Sequence, residues 1–165
     1  MTTYQNKKIT DIDMQFVKLA CNLAFDNIAN GGGPFGAVIV KDNNIIATGT
    51  NTVTLHNDPT AHAEINAIRS ACKKLRNFKL NDCIVYCSCE PCPMCLSALY
   101  WAGVKKIIYC NTKADAAAIN FDDSFIYDEI ELAPEDRHIP CIHMQHSDAP
   151  LAFQAWASKA DKIIY

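Results

Sequence analysis

The residues that could do chemistry concentrate in two short stretches, "TAHAEI" at residues 60–65 and "SCEPCPMCL" at residues 88–96. In the second, Cys89, Cys92 and Cys95 recur every three residues and make two overlapping C-x-x-C pairs. Residues three apart at a helix start lie about 60° apart around its axis, so Cys92 and Cys95 share a face. The positive end of the helix dipole favours their thiolates. Cys89 closes the preceding strand, and Glu90-Pro91 turns the chain before Cys92, so its side chain need not follow theirs. His62 is the expected third ligand. Two helices bringing their N-termini together would set His62, Cys92 and Cys95 around one zinc ion, with water in the fourth position. Catalytic zinc typically has three protein ligands and water, whereas structural zinc is fully protein-ligated. The competing arrangement is a closed tetrad of His62, Cys89, Cys92 and Cys95, which would make the chain a zinc-stapled interaction module.

Glu64 favours the open, catalytic arrangement over the tetrad. Zinc lowers the pKa of bound water towards neutrality and makes hydroxide available as a nucleophile. A carboxylate two residues from a ligand can take the water's proton and deliver it to a departing group. His62 and Glu64 would not lie on one side of a regular helix, so the first turn must aim them.

The elements that must position these groups follow from pattern and punctuation. Thr10 to Asn30 carries a helical period, with Ile12, Phe16, Leu19, Leu23 and Ile28 roughly on one side. Thr10 and Asp13 form a capping-box-like start, and Gly31 to Gly33 stop the helix. "FGAVIVK" and "IIATGTN", split by "DNN", read as a β-hairpin. Thr60 is placed to cap a helix from about Ala61 to Leu75, with Ile65 and Ile68 inward. "CIVYCSC" is a strand, "PMCLSALYWAG" a helix begun by Pro93 and ended by Gly103, and "VKKIIYC" a further strand. This α-β-β-α-β-α-β order predicts a sheet packed between helices. Beyond Asn111, "KADAAA" reads as a helical turn, "DDSFIYDEI" and "LAFQAWASKA" as helices, and "CIHMQH" as a short strand. One domain spanning 1–165, with a C-terminal extension, is the expected organisation.

Composition narrows the function classes. The formal net charge is −3, and no basic run exceeds "KK" and "KKLR", which disfavours a protein that grips many phosphates. Nine cysteines are an odd count, and five of them fall between Cys83 and Cys95, too close to staple distant segments. With no apolar leader and no apolar run near the ~18 residues of a membrane span, the expectation is a cytoplasmic protein with its thiols free or on metal. Cys21, Cys72, Cys83, Cys87, Cys110 and Cys141 are expected to be buried. Gly31-Gly32-Gly33 lacks a following Gly-Lys-Ser/Thr and is a helix stop rather than a phosphate loop.

"HAE" followed by "EPCPMC" matches the signature H-x-E…P-C-x-x-C of zinc deaminases, and the chain resembles the cytidine-deaminase-like superfamily. "GGGPFGAVIVKD", "NDPTAHAEINAIR", "SCEPCPMCLSALYWA", "FDDSFIY" and "FQAW" resemble its bacterial-type guanine deaminases, from about Phe16 to Tyr165. The resemblance implies a three-layer α/β/α sandwich with a mixed central sheet of about five strands. It implies conversion of guanine and water to xanthine and ammonia, with zinc-bound hydroxide attacking C2. His62, Cys92 and Cys95 would hold one Zn2+ per subunit, and Glu64 would shuttle protons. Asn51 would hydrogen-bond the purine, Phe35 and Trp101 would wall it, and Ala63 would join the substrate contacts. Asp123, rather than Asp122, would accept from the guanine N–H edge and assist proton transfer. The family forms homodimers that exchange the C-terminal segment, here about 145–165, so Tyr165 would close the partner's pocket. The implied partner is a small purine, with no nucleic acid and no membrane. Guanosine or another aminated heterocycle is the alternative substrate within the class; cytidine and tRNA adenosine fit less well.

Overall fold

The computed structural model describes residues 8–164. The first helix, α1 (Asp11–Ala29), starts at Thr10, whose hydroxyl accepts from the Asp13 N–H while the Asp13 carboxylate accepts from the Thr10 N–H, a complete capping box. A hairpin follows, β1 (Gly33–Lys41) and β2 (Asn44–Asn51), turned by Asp42 and Asn43 with φ of 49° and 60°. Two left-handed residues between paired Lys41 and Asn44 make the tight turn that matches strand twist. A short helix, α2 (Val53–His56), precedes α3 (Ala63–Leu75); then come β3 (Ile84–Cys89), α4 (Pro93–Ala102), β4 (Lys106–Asn111) and α5 (Lys113–Ala117).

The four strands lie in the order β2-β1-β3-β4, with β3 and β4 parallel and the other pairs antiparallel. Strand alternation splits the core in two. Ala37, Ile39, Val85 and Cys87 face Ala63, Ala67 and Ala71 of α3 and Leu99 of α4. Val38, Val40, Tyr86 and Ile108 face Phe16, Val17 and Ala20 of α1 on the opposite side. The layers are therefore helix, sheet, helix, as expected. Alanines and glycines bring them close: a Cβ on Gly49 would lie 2.2 Å from the Ala63 carbonyl oxygen and 2.6 Å from the Ala67 nitrogen.

Four local expectations differ. The stripe that α1 buries runs through Asp13, Phe16, Val17, Ala20, Ala24 and Asn27, whereas Ile12 and Ile28 are exposed. Two buried polar residues displaced the apolar pattern. Asp13 accepts from the Tyr86 hydroxyl at 2.7 Å, and Asn27 bonds strand-end carbonyls. On α3 the fully buried residues are Ala63, Glu64, Ala67 and Ala71, with Ala63 and Ala67 set against Gly49; Ile68 packs inward against this core but stays half-buried, and Ile65 is half-buried too. Thr60 does not cap α3; its hydroxyl and N–H both bond Asp58 Oδ1, and His62 is the N-cap. Cys110 and Cys141 are exposed, not buried.

Backbone packing divides the chain into two compact units, one ending at Asp123 and one from Ser124 onward. The second unit holds α6 (Ser124–Glu131), a single 3-10 turn (Pro134–Asp136) and α7 (Ala149–Ser158). Residues 141–146, expected as a strand, form none, so the sheet has four strands among the described residues instead of about five. Arg137 organises this unit by donating to the carbonyls of Glu129, Ile130 and Leu132 at the end of α6.

Candidate metal centre and active site

The N-terminus of β1 and the C-termini of β2, β3 and β4 meet at one end of the sheet, where α3 and α4 both begin. His62 is the N-cap of α3 (φ −70°, ψ 159°) and Cys92 the N-cap of α4 (φ −62°, ψ 167°); neither side chain caps its helix. A usual N-cap would spend its side chain on the N2 or N3 amide. Here both side chains stay available, and Cys95, three residues into α4, joins them. His62 Nδ1 lies 3.5 Å from the Cys92 sulfur and 3.5 Å from the Cys95 sulfur. All three ligand atoms fall within 4.8 Å of one another. A tetrahedral zinc with Zn–S of about 2.3 Å and Zn–N of about 2.0–2.1 Å separates nitrogen from sulfur by about 3.5 Å. The donor set fits that ion.

Electrostatics agree. The Cys92 thiol is drawn down to about 4, first by the hydrogen bond it accepts from Cys95 and then, against burial, by His62. Cys95, donating that bond from a buried position, is pushed up. The hydrogen bond to Cys92 raises His62, against its own burial. Without a metal the trio pairs one thiolate, on Cys92, with the Cys95 S–H and the His62 ring; a dication would displace those protons and hold both sulfurs as thiolates.

Cys89 takes no part. It is buried at the end of β3, its thiol donates to the Thr112 carbonyl at 3.6 Å, and burial pushes it up to about 11. The metal-ligating cluster found among the described residues is His62, Cys92 and Cys95 without it. The closed tetrad is not assembled.

His62 and Cys92 open onto a cavity of about 270 Å³, small for a ligand pocket. Glu64 lines it from the first turn of α3; with His62 outside the helix proper, the two side chains reach the same space. Burial raises the Glu64 carboxyl above the ordinary range. Phe35 enters through a break in register: Gly33 pairs with Asn51 but Gly36 with Thr50, leaving Pro34 and Phe35 as extra residues that bulge. The Gly36 N–H freed by the bulge donates to the buried Ser88 hydroxyl at 3.0 Å. Phe121 packs edge-on against Phe35, ring centroids 5.0 Å apart. Asn51 is buried at the end of β2, and its Oδ1 accepts from the Val53 N–H. Asp122 and Asp123 both line the cavity; burial, and then the charge on Cys92, raise Asp123.

The first unit thus brings together His62, Glu64, Cys92, Asn51, Phe35 and Asp123 around one cavity, with Cys95 behind it. Trp101, near the end of α4, is exposed and lies outside the lining of this cavity. Ala63 is buried under the sheet and is also outside the lining. Tyr165 lies outside the described residues. Sequence reasoning missed Glu90 and Lys113. The Glu90 carboxylate accepts from the Lys113 N–H at 3.1 Å and its N–H donates to the Asn111 carbonyl, tying the metal loop to the end of β4. The position of Glu90 inside "EPC" was the available signal; Lys113 had none.

Residues 10–111 match the family described as the cytidine and deoxycytidylate deaminase zinc-binding region. The chain is 54% identical to a guanine deaminase of Bacillus subtilis, over 91% of this chain and 97% of that one. A tRNA-specific adenosine deaminase of Aquifex aeolicus is 42% identical over 57% of this chain and 62% of its own. Among solved structures, a guanine deaminase from Bacillus subtilis superposes with a TM-score of 0.91 at 52% identity, covering 95% of this chain and 99% of the other. A guanine deaminase from Nitrosomonas europaea gives 0.62 at 30% identity, covering 75% and 79%.

Proposed function

We propose that this chain, which belongs to the zinc-binding cytidine and deoxycytidylate deaminase family, is a hydrolase converting guanine and water to xanthine and ammonia. One observation carries the reading. A three-ligand metal set and a buried carboxyl share a cavity, in a chain similar over nearly its whole length to a guanine deaminase.

Zinc held by His62, Cys92 and Cys95, one ion per subunit, would supply a Lewis acid that brings bound water near neutrality. The chain's own groups handle the rest. Glu64 takes the proton from water and returns protons to the ring nitrogen and the departing amine, as the C2–N bond gives way to C2–O. Its raised pKa suits a group that must hold a proton part of the time. Asn51 hydrogen-bonds the purine, and Phe35, braced by Phe121, offers it an apolar wall. Asp123 accepts from the amidine edge and assists the leaving amine.

The functional unit in this reading is a cytoplasmic homodimer with exchanged C-terminal segments, in which Tyr165 closes the partner's pocket. Support comes from the second unit, where none of the described residues is buried and Ile142 and Phe153 are 88% and 81% exposed. A surface so apolar needs a cover. The net charge of −3 favours a free base over tRNA.

Ammonia release from guanine, guanosine, cytidine and adenosine, each offered separately to the zinc-loaded protein, tests the assignment. Guanine should be turned over fastest. Turnover of cytidine or adenosine with none of guanine would overturn it.

A further inference from the structure

We infer that Asn27, in the last turn of α1, is a positioning residue that sets Asn51 in place; the inference rests on the reading of Asn51 as a purine contact. Asn27 is buried, and its Nδ2 donates to two carbonyls at once, that of Gly33 at 2.8 Å and that of Asn51 at 2.8 Å. Both acceptors belong to cavity-lining residues. They are also register partners at the open end of the hairpin, beyond the bulge that interrupts the ladder between Gly33 and Gly36. The bulge removes the regular strand-to-strand bonds where the site needs its strand ends fixed, and the Asn27 amide replaces them from the helix layer.

The backbone is drawn tightly around that amide. A Cβ on Gly32 would lie 2.3 Å from Asn27 Nδ2 and 2.5 Å from the Asn51 carbonyl oxygen. A Cβ on Gly33 would come within 3.1 Å of Asn51 Cγ and Oδ1, so the Gly33 backbone is the floor on which the Asn51 side chain rests. The Val53 N–H then fixes which way the Asn51 amide faces. An aspartate at position 27 would set an oxygen against two carbonyl oxygens, and an alanine would take this donor away from both. Asn27 does not itself line the cavity. It acts through Asn51 and Gly33.

The test uses the zinc-loaded, full-length protein with Asn27→Asp, Asn27→Ala, Asn51→Ala and the Asn27→Ala/Asn51→Ala double variant. Expected is a rise in KM for guanine of about tenfold in each Asn27 variant, the worth of one misplaced hydrogen bond, with kcat little changed and one zinc per chain retained. Because Asn27 acts through Asn51, the double variant should be no worse than Asn51→Ala alone. Additive losses, an unchanged KM, or a fall in kcat together with zinc content would overturn the inference. Should Asn27→Asp fail to fold, Asn27→Ala carries the comparison, and failure of both makes Asn27 a folding residue and overturns the proposal. If Asn51→Ala itself leaves KM unchanged, the purine-contact reading falls and takes this one with it. An effect at Asn51 with none at Asn27 removes only the positioning role.

Discussion

Replacing Glu64 by glutamine keeps the shape of the side chain and removes its capacity to carry a proton. On this account kcat for guanine falls by about 10²–10⁴-fold, the usual worth of a positioned acid–base group, while zinc content stays at one per chain. Metal analysis alongside stopped assays checks both halves. Cys89 gives the complementary prediction. Cys89→Ser should leave the zinc stoichiometry intact, because its thiol is directed to the Thr112 carbonyl and is held protonated by burial. Cys92→Ser should empty the site. At this scale the sequence was most legible where residue type alone limits chemistry. A histidine and two thiols at helix starts have few uses in common, and their spacing survives any uncertainty of one or two residues in helix ends. Lys113 and Phe121 were not legible because only the folded path of the chain brings them to the cavity.

Two elements carry the site, and each has a weak point that can be probed. Helix α3, which presents His62 and Glu64, sits on Gly49 with no room for a methyl group. Gly49→Ala must push the helix backbone away and should cost about 1–3 kcal/mol of stability, with weakened zinc binding as well. Thermal melts and zinc titration measure the two effects. Helix α1 is anchored differently. Burial pushes the Asp13 carboxyl up, but hydrogen bonds from the Tyr86 hydroxyl and the Thr10 N–H and hydroxyl outweigh it and hold it below the ordinary carboxylate range in the folded protein. A depressed carboxylate contributes stability that is present above its unfolded pKa and is lost as pH falls through the folded one. Asp13→Asn should therefore lower Tm at neutral pH by an amount equivalent to about 1–3 kcal/mol, and should flatten the acid limb of the Tm–pH curve below about pH 5. The same residue shows why the buried face of α1 was misread. Periodicity counts apolar residues, and here an aspartate and an asparagine are turned inward because each meets a specific partner. The hairpin was legible for the opposite reason, since "DNN" between two β-branched runs leaves few alternatives.

For the whole molecule, the contrast is between a first unit with two packed apolar clusters and a second in which no described residue is buried. The strand expected at 141–146 failed at this level. Its alternation was adequate, but a short strand forms only where an edge accepts it, and no local pattern reports that. Exchange of the C-terminal segment predicts a dimer at micromolar concentration by light scattering, and a stable, active monomer would exclude it. Among the described residues no helix is long and apolar enough to cross a membrane.

The claim beneath all of these is that three side chains hold the metal and solvent completes its shell. X-ray absorption at the zinc edge of the purified protein tests this most directly. The account predicts two sulfur scatterers at about 2.3 Å and two nitrogen or oxygen scatterers at about 2.0–2.1 Å. Three sulfurs in that shell would place Cys89 on the metal and contradict it.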